Sequence, residues 1–428
     1  MSTQTTPTMH DLITELYPIP RSITGDGFRA TLRRIQQIIP LELHEVPSGT
    51  PVFDWAVPKE WNIRDGWVKN PQGEKIIDFQ QHNLHVLNYS VPVHQKLTLA
   101  ELKPHLFSTP DYPDTIPYRT SYYKETWGFC LPHNQLLALE DGEYEVMIDS
   151  TLADGSLTYG EYILPGETRD EVLISCHACH PSLANDNLSG IAVATHLALA
   201  LQAQPTRRYT YRLIFIPGTI GSITWLALNE VVTPHIKHGL VLTCVGDPGH
   251  VTYKKSRRAT AEIDRAVQQI LHDSGAHHTV IDFFPYGYDE RQYCSPGFNL
   301  PVGVFMRSQH GQFPEYHTSA DNLDFVREEF LQDSLRKLLQ VVEVLETNQT
   351  YTSTNPKCEP QLGKRGLYGA IGGQSDKVID QMAILWVLNL ADGEHDLLDM
   401  AARSGMRYEL IRNAAEILAE HGLLVVSD

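Results

Sequence analysis

Residues 171–190 have the sequence EVLISCHACHPSLANDNLSG, and this stretch decides the fold. It opens with an apolar run, residues 172–174, that is typical of a buried strand, and it ends at the start of an apolar helical pattern. Five side chains able to bind a metal lie between the two: Cys176, His177, Cys179, His180 and Asp186. An α/β protein builds metal sites where a strand ends and the next helix begins. The stretch therefore predicts an α/β fold with a metal site at the carboxyl edge of its sheet.

Strand and helix patterns alternate from residue 141 to residue 350. This alternation predicts a mostly parallel mixed sheet covered by helices on both faces. Two further helical patterns, residues 9–17 and 27–39, are assigned to the same domain, which is therefore discontinuous: residues 1–47 and 141–350. A chain of 428 residues is long enough for two or three domains.

Residues 48–140 have a different composition, rich in Trp, Tyr, Pro and turn residues. Short β-branched and aromatic runs between turn signals predict a small β-rich domain inserted into the α/β domain. Its four tryptophans either fill the core of the insert or form a platform on which sugars stack: Trp55, Trp61, Trp67 and Trp127. The core role is favoured, because aromatic side chains bury the largest area per residue.

Residues 351–376 are rich in Pro, Gly and polar side chains and are predicted to be a linker. Residues 377–428 show three helical segments and a closing apolar strand, which resembles a winged helix. Winged helices often bind DNA, but residues 380–428 hold three arginines against nine acids, a net charge of 3 − 9 = −6. Phosphates would repel this surface, so nucleic-acid binding is disfavoured and a structural or protein-contact role is favoured.

The whole chain is acidic, with 34 Lys and Arg against 52 Asp and Glu and a formal charge of −18. This charge opposes binding to nucleic acid or to an anionic membrane surface. The first residues lack the features of a signal peptide, and no segment has the roughly 20 apolar residues that cross a bilayer. We therefore expect a cytoplasmic protein whose six cysteines are thiols or ligands.

Residues 176–180, CHACH, also match the CxxCH pattern of haem attachment and the CxxC pattern of a redox dithiol. Haem attachment of that kind belongs to exported proteins. A redox dithiol normally lies at the start of a helix, whereas a proline and a loop follow here. Both alternatives are disfavoured against a metal site.

Candidate metal ligands also follow the later strands. His177 and Asp186 are 186 − 177 = 9 residues apart, Asp247 ends the strand pattern GLVLTCVGDPG, and His317 lies in EYHTSAD. Imidazoles and carboxylates from several strand ends suit Zn²⁺, and a carboxylate such as Asp186 can bridge two ions. Each residue alone is more often structural, but all four in this order predict a site for one or two zinc ions.

Four motifs carry a resemblance to a known family: NDNLSG at 185–190, IGS at 220–222 followed by Trp225, VGDPG around Asp247 and EYHTSAD around His317. They resemble the di-zinc aminopeptidase family that includes bacterial leucyl aminopeptidases and glutamate carboxypeptidase. The resemblance covers about residues 141–347 and the amino-terminal helices. It implies that His177 and Asp247 hold one zinc, that His317 holds the other, and that Asp186 bridges both.

With its insert and its winged helix, the whole chain resembles a bacterial group of aminopeptidase-like proteins labelled polysaccharide-biosynthesis proteins. The chain departs from the aminopeptidase pattern at one turn. That family has two consecutive glutamates shortly before the Gly-Ser, one as general base and one as zinc ligand. Here residues 215–222 are FIPGTIGS, and no acid occurs between Asp186 and Glu230. A hydrolase of this type needs a carboxylate that takes a proton from water.

Two replacements are available in the sequence. His180 is the candidate for the missing ligand, and Asp289 or Glu290 in YDERQY is the candidate for the base. The same segment holds two candidates for substrate binding. Arg291 can clamp a substrate carboxylate or be an ordinary surface residue, and Tyr293 is the second candidate.

We therefore expect a zinc-dependent, aminopeptidase-like hydrolase of an amide bond in a peptide or amino-sugar conjugate, linked by resemblance to polysaccharide biosynthesis. Two alternatives stay open. One is a descendant that binds a metal or ligand without catalysis, since the paired glutamates are missing. The other is an assembly or regulatory protein that uses the winged helix for protein contacts. The expected partner is a small-molecule or peptide substrate, without a membrane, and a homo-oligomer is compatible with the sequence.

Overall fold

The computed structural model describes residues 6–367 and 380–427. Part of the predicted linker and the start of the predicted winged-helix domain, residues 368–379, lie outside the described residues. The helices are α1 (Met9–Leu16), α2 (Asp26–Gln36), α3 (Leu99–Leu102), α4 (His133–Leu137), α5 (Gly190–Gln202), α6 (Ile220–Leu228), α7 (Glu262–Asp273), α8 (Glu290–Tyr293), α9 (Glu328–Thr347), α10 (Gln381–Leu390), α11 (Leu397–Ser404) and α12 (Tyr408–Glu420).

The strands follow the predicted change from an α/β to a β-rich and back to an α/β pattern. They are β1 (Glu42–Pro47), β2 (Pro51–Val52), β3 (Trp55–Ala56), β4 (Glu60–Lys69), β5 (Lys75–Asp78), β6 (Val93–Thr98), β7 (Leu106–Phe107), β8 (Phe129–Cys130), β9 (Glu143–Ala153), β10 (Ser156–Leu164), β11 (Glu171–His177), β12 (Thr210–Ile216), β13 (Ile236–Leu242), β14 (Val251–Lys254), β15 (His278–Ile281), β16 (Val302–Met306), β17 (Thr350–Ser353), β18 (Asp392–Asp396) and β19 (Leu424–Val426).

The main sheet belongs to the larger of two compact units, Met1–Ala259 with Thr279–Leu335. Its strand order is β1-β10-β12-β11-β13-β16-β14-β15. The four central strands run parallel, whereas the β1–β10, β10–β12 and β14–β16 pairs are antiparallel. The predicted mixed sheet flanked by helices is confirmed, and its parallel strands form the centre.

The centre of the main sheet is buried on both faces. Every residue of β11 and of β16 is buried, as expected for strands covered by helices on each side. The chain passes from β11 to β12 on one side and later to β13 on the other, so the strand order reverses beside β11. Ligands of open α/β sheets bind at the carboxyl ends of strands at such a reversal, and β11 ends at His177.

A second sheet, with the order β5-β4-β9-β6, forms the β-rich part of the same unit. Its pairs are antiparallel. β9 is an inner strand of this sheet, although it begins at Glu143, beyond the predicted end of the insert at residue 140. Trp61 is 3% exposed, as a core role requires, whereas Trp55 is 42% exposed and lies on the surface. Trp67 and Trp127 are half-buried.

The smaller unit, Thr260–His278 with Arg336–Asp428, contains the winged helix. Helices α10, α11 and α12 pack with a three-stranded sheet of order β18-β17-β19. Asp396 caps α11 by accepting the Asp399 N–H, and it also pairs with Arg265 at 2.6 Å. The predicted winged helix is confirmed. The predicted linker begins inside β17, because residues 350–353 pair with both β18 and β19.

None of the described helices is both long enough and apolar enough to span a bilayer. The six cysteines are free thiols, five of them buried and Cys358 exposed. Cys176 and Cys179 therefore form no disulfide in this structure.

Candidate metal centre

Asp186 is the centre of a group of histidines at the carboxyl end of β11. Its Oδ1 lies 2.9 Å from Nε2 of His177, and its Oδ2 lies 2.9 Å from Nε2 of His317. Nδ1 of His180 lies 3.4 Å from Oδ2 and 3.1 Å from the main-chain oxygen of Asp186. Three imidazoles therefore surround one carboxylate that has no exposed surface.

The segment between β11 and α5 places Asp186 in this group. A π-helical turn, Ala184–Ser189, carries Asp186, and all six of its residues are buried. The carboxylate of Asp321 accepts the N–H of Asn185 at 2.6 Å and the N–H of Asp186 at 2.9 Å. Buried main-chain donors must be paired, so Asp321 fixes the turn that presents Asp186.

The electrostatics of the group favour the forms that bind metal. Burial by itself raises the pKa of Asp186, but the charge of His180 and the hydrogen bonds from the three histidines outweigh burial and hold this pKa well below its ordinary value. Burial also lowers the pKa of His180 to about 4, although Asp186 opposes that change. Near neutral pH the aspartate is an anion and His180 is a neutral imidazole, as a metal ligand must be.

Asp247 forms its hydrogen bonds with other residues than the three histidines, and its predicted role as a zinc ligand stays a prediction. Its Oδ1 accepts the Ser308 hydroxyl at 2.6 Å and the Gly249 N–H at 2.7 Å. Its Oδ2 accepts the Asn185 amide at 2.9 Å and the Ser308 N–H at 3.2 Å. Both oxygens are occupied by protein donors, and through Asn185 they support the residue that precedes Asp186. The resemblance could not show this, because Ser308 follows β16, a different strand.

Asp289 lies against the turn where the resembling family has its glutamates. Its Oδ1 accepts the Thr219 N–H at 2.7 Å and the Ser222 hydroxyl at 2.8 Å, whereas its Oδ2 is buried without a hydrogen-bond partner. Thr219 has a φ of +62°, which is strained for a β-branched residue, and the bond to Asp289 helps to hold it. Burial raises the pKa of Asp289 above its ordinary value, while His177 opposes the rise.

The other candidates in YDERQY have different surroundings. Glu290 forms an ion pair of 2.7 Å with Lys254, and both side chains are completely buried. Arg291 is half-buried, and its Nε has no hydrogen-bond partner. Tyr293 is buried, and its hydroxyl lies 2.9 Å from a serine hydroxyl of β11. The catalytic role predicted for Glu290 and the substrate-binding roles of Arg291 and Tyr293 stay predictions.

A cavity of about 180 Å³ opens beside the histidines. Its wall includes the three imidazoles, the candidate base and two tyrosines: His177, His180, His317, Asp289, Tyr122 and Tyr288. Tyr288 stacks on His177 with the ring centroids 5.0 Å apart and fixes the plane of that imidazole. The cavity is smaller than the usual ligand pocket, so it accommodates a small group rather than a whole ligand.

The donor set of this centre fits zinc. The ligand atoms of His177, His180 and Asp186 lie within 4.8 Å of one another, and His317 adds a third imidazole against the same carboxylate. Three imidazoles with one carboxylate match the nitrogen and oxygen ligands that zinc takes in tetrahedral protein sites. His180, which the sequence offered as a replacement for the missing glutamate, belongs to this group, and its role as a ligand stays a prediction.

Several residues near the centre were not singled out from the sequence. Tyr118, in the insert, packs edge-on against His180 and His317 at 4.9 and 5.1 Å, and its N–H donates to the His317 carbonyl at 2.7 Å. Arg21 is completely buried and donates from Nε to the His180 carbonyl at 2.9 Å. Asp321 lies in the EYHTSAD motif, so the sequence could have indicated it. The other two carried no signal, since their importance comes from long-range contacts.

A mixed α/β sheet with a histidine–aspartate site at the end of its central strand, in a chain that also carries a winged helix, defines an aminopeptidase-like protein. The chain belongs to the family described as a domain of unknown function (DUF4910), whose model matches residues 10–348. A winged helix-turn-helix model matches residues 349–426.

One relative from Clostridium acetobutylicum is 55% identical over 423 residues, which cover 99% of this chain and 97% of the relative. It is named "Putative polysaccharide biosynthesis protein with aminopeptidase-like domain". A crystal structure named as a "putative peptidase" from Clostridium acetobutylicum has a TM-score of 0.92 at 53% identity, over 98% of this chain and 96% of that one.

The zinc aminopeptidase BSAP from Bacillus subtilis has a TM-score of 0.57 at 13% identity, over 79% of this chain and 94% of its own. At this identity the likeness concerns the fold alone. The α/β fold is thus shared with a zinc aminopeptidase, and the predicted resemblance to the aminopeptidase family is confirmed.

Proposed function

We propose that this protein is a zinc-dependent hydrolase that cleaves an amide bond in a peptide or an amino-sugar conjugate. The proposal rests on one cavity whose wall includes His177, His180 and His317 and also Asp289, a carboxylate with one buried oxygen that has no hydrogen-bond partner. Metal-assisted amide hydrolysis requires a metal centre and a base within reach of the same water. The cavity offers candidates for both.

The three histidines and Asp186 would hold Zn²⁺, which supplies a Lewis acid that polarises the amide carbonyl. Asp289 would take a proton from the attacking water on Oδ2 and deliver it to the departing amine. Its Oδ1 stays bound to Thr219 and Ser222, which keeps Oδ2 in a fixed direction. Burial raises the pKa of Asp289, so this carboxylate is a stronger base than an exposed aspartate.

Asp289 fits this role better than its neighbour in the chain. One oxygen of Glu290 is held by the buried ammonium of Lys254 at 2.7 Å. Taking up a proton at Glu290 would weaken that ion pair and leave a buried charge unpaired, which is costly. The Glu290–Lys254 pair instead supports the segment from which Asp289 projects.

Binding of a metal and a ligand without turnover is the second candidate function. It is favoured by the turn at residues 215–222, which carries no carboxylate of its own. In that case Asp289 serves only to hold Thr219 and Ser222. Metal content and turnover, measured together, separate the two functions.

The test uses the full chain purified without chelator. Zinc is measured by elemental analysis, and turnover is measured on aminoacyl anilides and on N-acyl amino-sugar amides. We expect Asp289→Asn to keep its zinc and to lose at least about 100-fold in kcat, the typical contribution of a positioned base. Asp282→Asn is the matched control, since this carboxylate is 83% exposed in a surface ion pair with Lys255.

Zinc without turnover on either substrate class would overturn the hydrolase and leave the binding function. Absence of zinc and of any substitute metal would overturn both. The amino-sugar amides are included as substrates because the name of the Clostridium acetobutylicum relative connects that protein with polysaccharide biosynthesis. The predicted cytoplasmic location, the absence of membrane and nucleic-acid partners and the homo-oligomer remain predictions.

A further inference from the structure

An aromatic cluster lies on the surface of the larger unit: Phe53, Trp55, Tyr123 and Phe298. The first three are 54%, 42% and 59% exposed, and Phe298 is half-buried. Trp55 packs edge-on against Tyr123 with ring centroids 5.3 Å apart, and Phe53 does so against Phe298 at 5.8 Å. Exposed aromatic side chains grouped on one surface are typical of a binding site.

A tight hairpin presents two members of this aromatic cluster. β2 and β3 pair through Val52 and Trp55, so only Phe53 and Asp54 form the turn. Phe53 has a φ of +57°, a strained conformation in which glycine or asparagine would be at ease. Apolar burial does not compensate the strain at Phe53, because its ring is mostly exposed. A ligand that covers the ring would do so.

The aromatic cluster adjoins the cavity of the metal centre. Tyr122 lines that cavity, and its hydroxyl lies 2.6 Å from the hydroxyl of Tyr118, the residue packed against His180 and His317. The next residue, Tyr123, belongs to the cluster, and the two rings are 6.3 Å apart. The aromatic surface therefore continues outward from the wall of the cavity.

A cationic group lies close to the same surface. Arg291 is bonded to Thr219, and Thr219 lines the same cavity as Tyr122, the chain neighbour of Tyr123. Arg291 donates from Nη2 to the Thr219 hydroxyl at 3.3 Å, at the rim of the cavity. A guanidinium forms charge-assisted hydrogen bonds with anionic oxygens.

We propose that Phe53, Trp55, Tyr123 and Phe298 form a subsite for a sugar ring of the substrate, with Arg291 binding an acidic substituent of that sugar. The subsite rests on the proposed function, since it extends the same substrate beyond its amide bond. The cavity of about 180 Å³ holds a small group only, so a larger substrate must continue onto the surface outside it.

The chemistry of the surface suits a carbohydrate better than an apolar side chain. A pyranose has an apolar C–H face that packs on aromatic rings and a rim of hydroxyl groups that needs hydrogen-bonding partners. Exposed charged side chains flank the aromatic residues in the chain: Asp54, Lys124 and Glu125. The hydroxyl groups of a sugar can form hydrogen bonds with such side chains, whereas an apolar peptide side chain cannot.

The test is a fluorescence titration of the full chain with cellotriose, N-acetylglucosamine trimer, trigalacturonic acid, trialanine and triglutamate. We expect trigalacturonic acid to bind most tightly, and Trp55→Ala and Tyr123→Ala each to weaken it at least about tenfold, as truncation of a central aromatic contact does. Arg291→Gln should weaken the acidic trisaccharide and leave binding of the neutral ones unchanged. Trp67→Ala is the matched control. Trp67 is a half-buried tryptophan near the carboxyl end of β4, and the ammonium group of Lys69 lies over its ring.

The proposal is overturned if no trisaccharide binds, if Trp55→Ala binds as well as the parent protein, or if a tripeptide binds more tightly than every saccharide. The titration is repeated on His177→Ala, in which zinc content and turnover are expected to fall. Saccharide binding that survives in this variant supports the subsite independently of hydrolysis. Saccharide binding by a parent protein that turns over no amide would overturn the hydrolase and keep the subsite.

Discussion

Gly218 is the residue at which this chain differs most clearly from a metal-dependent peptidase with its own glutamate at the same turn. A Cβ atom at this position would lie 3.5 Å from Sγ of Cys179 and 3.8 Å from Cβ of His177. These are ordinary van der Waals contacts, so a Cβ atom at position 218 fits and lies beside the first candidate ligand. The missing carboxylate is thus a matter of side-chain chemistry, because the backbone leaves room for it.

We predict that Gly218→Glu raises the turnover of the proposed hydrolase by at least about tenfold, because it adds a second carboxylate near the reacting water. The matched control is Gly218→Gln, which has the same shape without the charge and should give no gain. Both variants are compared with the parent protein in the anilide assay, after thermal unfolding has shown that they fold. Equal rates for the glutamate and glutamine variants would contradict the prediction.

Asp186 and Asp247 are both buried aspartates at strand or helix ends, but their surroundings predict different outcomes for the same substitution. Asp186→Asn should lose its zinc, because the carboxylate among three imidazoles is the anionic ligand. Asp247→Asn should keep zinc and lose about 1–3 kcal/mol of unfolding free energy, because an amide cannot accept all four of the hydrogen bonds.

Elemental analysis and urea denaturation of the two purified variants test this difference. If Asp247→Asn loses as much zinc as Asp186→Asn, Asp247 is a ligand after all, as the family resemblance implied. If neither loses zinc, the metal lies elsewhere.

At the scale of elements, β13 carries a buried histidine that should make the main sheet sensitive to acid. His238 is 3% exposed, and burial, assisted by the charges of Arg208 and Lys237, lowers its pKa to about 3. Because the pKa of His238 is lower in the folded state than in the unfolded state, this group costs no stability above the unfolded-state pKa near 6.5. The free energy of unfolding falls as the pH decreases from there toward 3. The loss amounts to about 1.4 kcal/mol per pH unit for this one group.

We predict that His238→Phe flattens the fall of unfolding free energy between pH 6.5 and pH 4.5. Phenylalanine keeps an aromatic ring against Tyr209, whose ring lies 5.0 Å from the imidazole, and it cannot take up a proton. Urea denaturation at several pH values measures the slope for the variant and the parent protein. Parallel slopes would show that His238 does not dominate the acid response.

Helices with a strong apolar period were predictable to within a few residues. The helical pattern at residues 9–17 begins where α1 begins and ends one residue beyond it, and the pattern at residues 27–39 starts one residue after α2 and ends three residues beyond it. Strand membership was harder, because pairing is decided by distant partners. β9 pairs with β4 and β6, and β17 pairs with β18 and β19, and no local pattern reveals either choice.

The same distinction applies to the candidate site. His177, Asp186 and His317 were expected together from motifs at strand ends. In the structure both histidines lie against the carboxylate of Asp186. Asp247 and Asp289 could not be separated in role from the sequence. Asp247 accepts hydrogen bonds from three segments, whereas Asp289 has one buried oxygen without a hydrogen-bond partner. Such differences arise from hydrogen bonds between residues far apart in the chain.

At the scale of the molecule, charge separates this winged helix from those that bind DNA. α12 exposes Glu409, Glu416 and Glu420, in a chain with a formal charge of −18. We predict no binding to a mixed-sequence DNA duplex in fluorescence anisotropy at about 50 mM salt, where phosphate contacts are stronger than at physiological salt. The triple variant with lysine at these three positions should bind, with an affinity that falls as salt rises. Salt-dependent binding by the parent protein would contradict the prediction.

Two residues, Asp154 and Gly155, separate β9 from β10. β9 is an inner strand of the β-rich sheet, and β10 lies between β1 and β12 in the main sheet. Deletion of residues 48–140 would remove β4 and β6, the two strands that pair with β9. It would leave β9 unpaired and joined to β10 by only two residues. It would also take away Tyr118 and Tyr122 from beside the histidines. Engineers who wish to transplant this scaffold must therefore carry both sheets in one piece.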